Sequence, residues 1–461
     1  MKPWMLNDIA SLFGQKVPEG ISVLDVCTDS RAITPGCLFV ALEGERFDGH
    51  SFVRDAFAQG AVAAVCRKEI LDADRPVIYV KDTQRALITI GCAYRLKYDV
   101  PVVAVTGSVG KTTTKDMVAC ALSAEYQTLK TQGNRNNEIG LPLTLLNLDE
   151  RYGCAVLEMG MTHLGDLSLL SAAALPTVAV ITNVGVSHIE NLGSRENILK
   201  AKLEIAEGLP QDGTLILNYD NDLLCDIKTH RGLAILSYGI ENSQADVTAK
   251  NIIREGEDTR FVIRYKDGEY PARIPCIGAH NVLNALAAFA VCAALNLDLV
   301  KCTAALTSYT PSGMRQKIVR YGGFTVIEDC YNASPDSMKA ALGTLKTLKG
   351  ESGGRSVAVL ADMLELGDYS QSAHEAVGSL AAQSDTDVLI AYGTEAVHIA
   401  RTAQCEGVPR VYYFSDKGQA AQKLIETAKP EDTILFKGSR GMRLEEIIEG
   451  FYNQTGNKAR E

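Results

Sequence analysis

The 461-residue sequence is poor in aromatics: Phe, Tyr and Trp make up 6% of it, with one Trp. It contains no run of the ~18 apolar residues that a bilayer-crossing helix requires, and its opening Met1-Lys2-Pro3-Trp4-Met5-Leu6-Asn7-Asp8 lacks a leader's apolar stretch. Secretion and membrane insertion are therefore not expected. Basic charge is not in excess: 46 Lys and Arg against 56 Asp and Glu give a net charge of −10. That balance argues against a general nucleic-acid binder, while leaving room for a local basic pocket for a phosphorylated small molecule. The 12 cysteines, Cys27 to Cys405, include no CxxC pair. Scattered in apolar company, they read as small core hydrophobes in a reducing cytoplasm rather than as a disulfide framework or zinc site.

What is present is 46% hydrophobic sequence, ample for buried cores, in a length that suggests two to four domains at about 150 residues each. The apolar runs Val102–Val105, Ala155–Leu157, Val178–Ile181 and Leu215–Leu217 read as strands buried on both faces. Between them lie helical stretches at Lys115–Glu125 and Glu196–Gly208, and such alternation implies a helix-covered parallel sheet. A second series, Phe324–Ile327, Val357–Leu360, Val388–Ala391, Val411–Phe414 and Thr433–Phe436, is interleaved with helices at Ser337–Lys349 and His374–Ser384. Pro311-Ser312-Gly313 punctuates the two. The expected class is α/β with three domains: a small mixed α/β unit over 1–98, a central parallel-sheet unit over 99–312 and a Rossmann-like unit over 313–461. The tail after Gly456 is expected to be disordered.

The sharpest motif is Val102-Val103-Ala104-Val105-Thr106-Gly107-Ser108-Val109-Gly110-Lys111-Thr112-Thr113. A buried strand enters a glycine turn and leaves as a helix, so backbone N–H groups, the helix N-terminus and the Lys111 cation converge where a nucleotide phosphate can sit. Thr112 is placed to ligate Mg²⁺. The motif departs from the general phosphate-loop pattern, with two residues rather than four between Gly107 and Gly110. Glu158 follows the strand at Val156-Leu157, at the sheet edge where ligands bind in open α/β folds; it reads either as a magnesium ligand or as a solvated loop carboxylate. Ser187-His188 follows the strand ending at Ile181 and is a ligand candidate for the same reason. Lys200, Lys202, Glu204 and Glu207 lie on a helix opened by Ser194-Arg195-Glu196, for which a charged solvent face is the plain reading. Asn281 and Asn284 share a helix face after Gly278 and suit either an adenine edge or capping. Arg315 precedes, and Asp329-Cys330-Tyr331-Asn332-Ala333-Ser334-Pro335 follows, a strand of the third unit. Asp362–Gly367 and Lys437–Arg440 are further polar loops at strand exits, where caps are the ordinary explanation. In the first unit, Thr28–Arg31 and Gly44–His50 are turn-rich and carry Ser and Arg of the kind that hold a diphosphate.

Taken in this order from Asp29 to Arg440, the motifs resemble the Mur ligase family, the ATP-dependent amide ligases of peptidoglycan assembly. Thr106–Lys115, Gly133-Asn134-Arg135-Asn136-Asn137-Glu138-Ile139-Gly140-Leu141-Pro142 and Asp329–Pro335 are most similar to the branch that joins D-alanyl-D-alanine to a UDP-N-acetylmuramoyl tripeptide. The resemblance implies that Gly107, Ser108, Val109, Gly110, Lys111, Thr112 and Thr113 hold ATP phosphates, and that Asn284, Arg315 and Asp329 contact its adenosine part. It implies magnesium on Thr112, Glu158 and His188, joined by a lysine carbamylated by CO₂, namely Lys202 with Lys200 as the alternative. Lys111, His188 and Lys202 become the catalytic candidates. Ser30 and Arg31 would hold the uridine nucleotide, with Arg135, Asn136 and Asn137 near the nucleotide sugar. Expected partners are small molecules only, for a monomeric cytoplasmic enzyme.

The nearest competing expectation is the sister ligase that adds the third amino acid; its Asn in place of Ser108 and its Asp-Asn-Pro-Arg element are missing here. Folylpolyglutamate synthase shares the ATPase core but places its phosphate loop nearer the start. A GTP-driven switch needs a guanine-reading Asn-Lys-x-Asp, which the sequence lacks.

Overall fold

The structure, a computed structural model, describes residues 1–44 and 47–458; side chains at 350–352 and 456–458 are outside that description. Glu45 and Arg46, part of the turn-rich Gly44–His50 segment, therefore lie outside the described residues, as do 459–461 of the tail.

The central sheet is nine-stranded. Across it run Thr128–Lys130, Cys154–Glu158, Val102–Thr106, Val178–Ile181, Thr214–Asn218, Ala234–Gly239, Val247–Glu255, Asp258–Tyr265 and Gly268–Ile274. Pairing is parallel as far as Val247–Glu255 and antiparallel through the last two strands. The purely parallel expectation is thus corrected at one edge. Asp258–Tyr265 alternates buried with more exposed positions, whereas the expected strands are solid apolar runs covered on both faces. Helices Lys111–Leu122 and Ala279–Ala294 cover one face, and their Met117, Leu122, Leu286 and Phe289 pack on Val103, Val105, Val156 and Val180. Each such side chain withdrawn from water contributes roughly 1.5–3 kcal/mol before entropy is counted.

The C-terminal sheet has the order Lys317–Tyr321, Phe324–Asp329, Thr433–Lys437, Ser356–Ala361, Val388–Tyr392 and Arg410–Phe414. Only the first pair is antiparallel, turning at Gly322 and Gly323, whose φ of 56° and 86° favour glycine. That edge strand was not among the expected apolar runs, because Lys317 and Arg320 interrupt it. The helices there start earlier than expected, at Pro335 and Ser370. Pro335 fits the first helical turn because its missing N–H is not needed. The last helix, Glu445–Lys458, runs into the tail expected to be disordered.

Residues 25–79 form a four-stranded parallel sheet, Asp25–Cys27, Cys37–Val40, Ala63–Cys66 and Val77–Tyr79. Helix Thr83–Arg95 ties it to the central sheet. Gly91 abuts Pro142, where a Cβ would lie 2.6 Å from the ring, and the buried Arg95 donates to the carbonyls of Ala174, Tyr98 and Val100 at 3.1, 2.7 and 3.1 Å. One apolar cluster runs from Trp4 through Leu157 to Leu435 and joins all three sheets. Among the described residues, no helix is long and apolar enough to cross a membrane.

Candidate active site

The strand Val102–Thr106 delivers Gly107 to the C-terminal edge of the central sheet, the usual ligand edge of such folds. Gly107 has φ +151°, and a Cβ there would lie 1.8 Å from Thr182 Oγ1. Gly110, with φ +83°, caps the helix Lys111–Leu122, and its Cβ would meet Asn284 Oδ1 at 3.0 Å. Asn183 holds the loop from below: its Oδ1 accepts from Val109 N at 2.8 Å and its carbonyl from Ser108 N at 3.1 Å. Thr182 Oγ1 donates to the Val109 carbonyl at 2.6 Å. The loop is preorganised, leaving the first N–H groups of the helix directed outward.

Lys111 folds back on the loop, donating from Nζ to the Gly107 carbonyl at 2.7 Å. Burial pulls its pKa down, Glu158 opposes that pull and Arg315 adds to it. Thr112 Oγ1 donates to Glu158 Oε2 at 2.7 Å, and Asn136 Nδ2 donates to Glu158 Oε1 at 2.8 Å. Glu158 is 2% exposed, so the solvated-loop reading gives way to a buried carboxylate held next to Thr112. Lys202 is 1% exposed, and among the described residues its Nζ has no hydrogen-bond or ion-pair partner. Burial first and the Lys111 cation second push its pKa far below the usual lysine range. Lys200, two residues earlier, is exposed. The charged-face reading of this helix therefore holds for Lys200 and fails for Lys202.

His188 sits at φ 64°, opening a short helix, and its Nδ1 lies 2.7 Å from Glu365 Oε2. This close approach of the imidazole holds the Glu365 carboxyl below the usual carboxylate range, against the opposing effect of burial. Glu365 belongs to the third unit, so the contact bridges two sheets. It was found only in the structure; the sequence placed it in a polar loop without naming its partner.

The adenosine candidates lie on both sides of the same junction. Asn284 Oδ1 accepts from Thr114 Oγ1 at 2.9 Å, within the helix pair that carries the phosphate loop. Arg315 stacks over the Tyr331 ring at 4.2 Å and is close enough to act on Lys111. Asp329 is buried against Lys437, with Nζ 2.8 Å from Oδ2, a partnership the sequence did not disclose. His280 Nε2 lies 2.7 Å from Gln316 Oε1, pinning the helix start to the third unit.

In the first unit Arg31 forms a fork with Asp29 at 2.9 and 2.7 Å, which lowers the Asp29 carboxyl to about 2. Ser30 is half-buried beside it and accepts from Gln59 through its carbonyl. Arg135 is exposed, and Asn137 Oδ1 caps the next turn at Gly140 N, 2.9 Å away. Of the loop 135–137, only Asn136 reaches the cluster around Glu158.

With this geometry in place, comparison with known proteins gives the lineage. The Mur ligase family, catalytic domain matches residues 24–95; the Mur ligase middle domain, 105–292; and the Mur ligase, glutamate ligase domain, 314–440. The UDP-N-acetylmuramoyl-tripeptide–D-alanyl-D-alanine ligase of Bacillus subtilis is 41% identical over 92% of this chain and 92% of its own. The chain is a member of the Mur ligase family. The Escherichia coli ligase of the same name is 37% identical over 96% of both chains. Among solved structures, MurF from Acinetobacter baumannii superposes with a TM-score of 0.90 at 32% identity, covering 98% of this chain and 99% of that one. MurF ligase from Thermotoga maritima in complex with ADP gives 0.84 at 28% identity over 94% and 98%. The three-part α/β architecture of this Mur ligase is thus shared along almost its whole length.

Proposed function

We propose that this Mur ligase joins D-alanyl-D-alanine to the UDP-N-acetylmuramoyl tripeptide at the expense of ATP, as an ADP-forming amide ligase of peptidoglycan precursor synthesis. One observation carries the reading: a complete phosphate cradle, with Lys111 and the Thr112–Glu158 pair at its mouth, in a chain similar throughout to relatives bearing that ligase name. A division of labour follows, with 1–98 binding the UDP substrate, 99–312 binding ATP and 313–461 closing over both. We place the enzyme in the cytoplasm as a monomer.

The tripeptide's carboxylate oxygen attacks the γ-phosphorus; the bond to the β–γ bridging oxygen breaks, and ADP leaves with its electron pair. The acyl phosphate formed is then attacked by the dipeptide's amine, giving a tetrahedral centre that expels phosphate as the amide forms. The nitrogen sheds its protons in that step. Catalysis of the first transfer is largely positioning and charge neutralisation. Gly107–Thr113 would cradle the phosphates, Lys111 would lie along the charge that develops, Asn284 would meet the adenine, and Arg315 and Asp329 the ribose and phosphate side. Ser30 and Arg31 would take the uridine nucleotide, with Arg135, Asn136 and Asn137 on the sugar side.

The residues present fit magnesium. A hydroxyl and a buried carboxylate lie 2.7 Å apart beside the cradle, donors of the hard type this ion prefers. Thr112, Glu158 and His188 would hold it. Lys202 fits the carbamate role, since a buried, unpartnered, readily deprotonated amine is the form that adds CO₂, and the product anion would offset the Lys111 cation. Bound there, magnesium would neutralise charge on the transferring phosphoryl group. The deciding experiment incubates the protein with ATP, UDP-N-acetylmuramoyl tripeptide and D-alanyl-D-alanine and reads product mass. A product heavier by the dipeptide, dependent on ATP, is expected. A product formed only from a UDP-dipeptide and a single amino acid would reassign the chain to the sister ligase.

A further inference from the structure

Between the central and C-terminal sheets lies a cavity of 430 Å³, lined from one side by Asn183, Gly185 and Arg195 and from the other by Asp336, Tyr369 and Ser372. Its lining includes residues that hold the phosphate loop. Gly185 N donates to Ser108 Oγ at 2.9 Å, and Asn183 carries Val109 and Ser108. Asp336 stands directly above. A Cβ on Gly185 would come within 2.3 Å of Asp336 Oδ2 and 3.4 Å of Ser108 Cβ.

The Asp336 carboxylate is open to the water of this cleft, and among the described residues it has no hydrogen-bond or ion-pair partner. Arg195, the cation that acts on it most strongly, is already committed. It donates to Asp222 at 2.7 and 2.6 Å and to the Val184 carbonyl at 2.8 Å. The surrounding protein raises the Asp336 pKa above the usual carboxylate value, against the attraction of Arg195 and Lys339 and with the help of Asp222. An anion facing a phosphate site across a single glycine is electrostatically unfavourable unless a cation comes between them. The cleft is on the scale of small-molecule sites and opens at the junction of two domains, where such sites concentrate.

We propose that this cleft is the acceptor site, and that Asp336 binds the ammonium group of the incoming dipeptide and takes the proton its nitrogen loses on attack. The inference rests on the ligase reading above and supplies the base which that reading leaves unassigned. The ammonium pairs with Asp336 on entry. One N–H proton passes to the carboxylate oxygen, the freed lone pair forms the C–N bond to the acyl carbon, and the C–O electron pair departs with phosphate. The second proton is lost from the nitrogen of the tetrahedral centre to water. Gly185 gains a reason for lacking a side chain, because any Cβ would occupy the space between base and phosphate loop.

The test is Asp336→Asn in the full-length enzyme, assayed with ATP, UDP-tripeptide and either D-alanyl-D-alanine or hydroxylamine. Hydroxylamine is uncharged at neutral pH and traps the acyl phosphate without needing a carboxylate partner. The variant should show a dipeptide KM raised about 10- to 100-fold, the worth of one charge-assisted hydrogen bond. Its hydroxamate yield and its KM values for ATP and UDP-tripeptide should match the wild type, and Asp336→Glu should recover part of the dipeptide loss. An unchanged dipeptide KM overturns the proposal. So does a parallel loss of hydroxamate, which would mark a structural role at the helix start, or a shifted magnesium requirement, which would mark a metal ligand. Absence of both ADP and hydroxamate with wild-type protein would instead sink the ligase reading itself.

Discussion

Replacing Lys202 by Met should move stability and activity in opposite directions. The lysine is 1% exposed, has no partner among the described residues and faces the repulsion of Lys111. Its folded-state pKa lies well below the ordinary 10.5, so between those values the unfolded chain binds the extra proton. Each unit of depression costs the folded state about 1.4 kcal/mol below that window. In CO₂-free buffer, wild-type stability should therefore rise as pH climbs toward 10.5, and the variant should lack that rise. Exchanging this buried, unpartnered amine for an apolar side chain of similar volume should stabilise by about 1–4 kcal/mol, the range found when buried ion pairs give way to apolar residues. At about 2–4 °C per kcal/mol for a unit of this size, thermal denaturation should show the apoprotein gaining several degrees. Ligation should meanwhile fall by at least about 100-fold, the scale set by losing one preorganised charge at a phosphoryl site. Bicarbonate should raise the melting temperature of the wild type alone, and short-chain carboxylic acids should restore part of the turnover of Lys202→Ala. A fully active Lys202→Met would rule out a role for Lys202 in turnover, and acid rescue at Lys200→Ala instead would move the carbamate to Lys200.

Four further outcomes follow. Lys111→Ala should abolish phosphate release while UDP-substrate binding, measured by calorimetry, stays near the wild-type value. Gly107→Ala should lose about 2–4 kcal/mol in denaturant titration and fail to retain ADP, because its Cβ would strike Thr182 Oγ1 at 1.8 Å. Glu158→Gln should raise the magnesium concentration for half-maximal turnover at least about tenfold with Thr112 intact, as a lost anionic ligand does. Glu365→Gln should raise the magnesium requirement in the same direction by a smaller factor, since Glu365 meets His188 at Nδ1 and leaves Nε2 free for an ion.

How much of this was readable beforehand depends on the range of the interaction. Val102–Thr106, the Gly107–Lys111 turn and the helix behind it are local, so pattern and spacing expose them directly. The same is true of Glu158 and His188 as residues at strand exits. The choice between Lys200 and Lys202 needs to know which side of a helix faces the interior, and the sequence around them carries charges on both. The Asp258–Tyr265 and Gly268–Ile274 strands escape a search for solid apolar runs because half of each faces solvent. Contacts such as His188–Glu365, Asp329–Lys437 and the Gly185–Asp336 approach join residues more than 100 positions apart. The first and third arise from how two sheets pack and the second from strand pairing within the C-terminal sheet, none of which a local pattern encodes.

In the proposed reaction a carboxylate is activated as an acyl phosphate and then captured by an amine. The most direct test labels the UDP-tripeptide carboxylate with ¹⁸O and analyses the phosphate released during turnover with ATP and D-alanyl-D-alanine. Phosphate carrying one ¹⁸O, released only when both partners are present, is the expected result. Unlabelled phosphate would mean that water, not the carboxylate, attacks ATP, and would contradict the account.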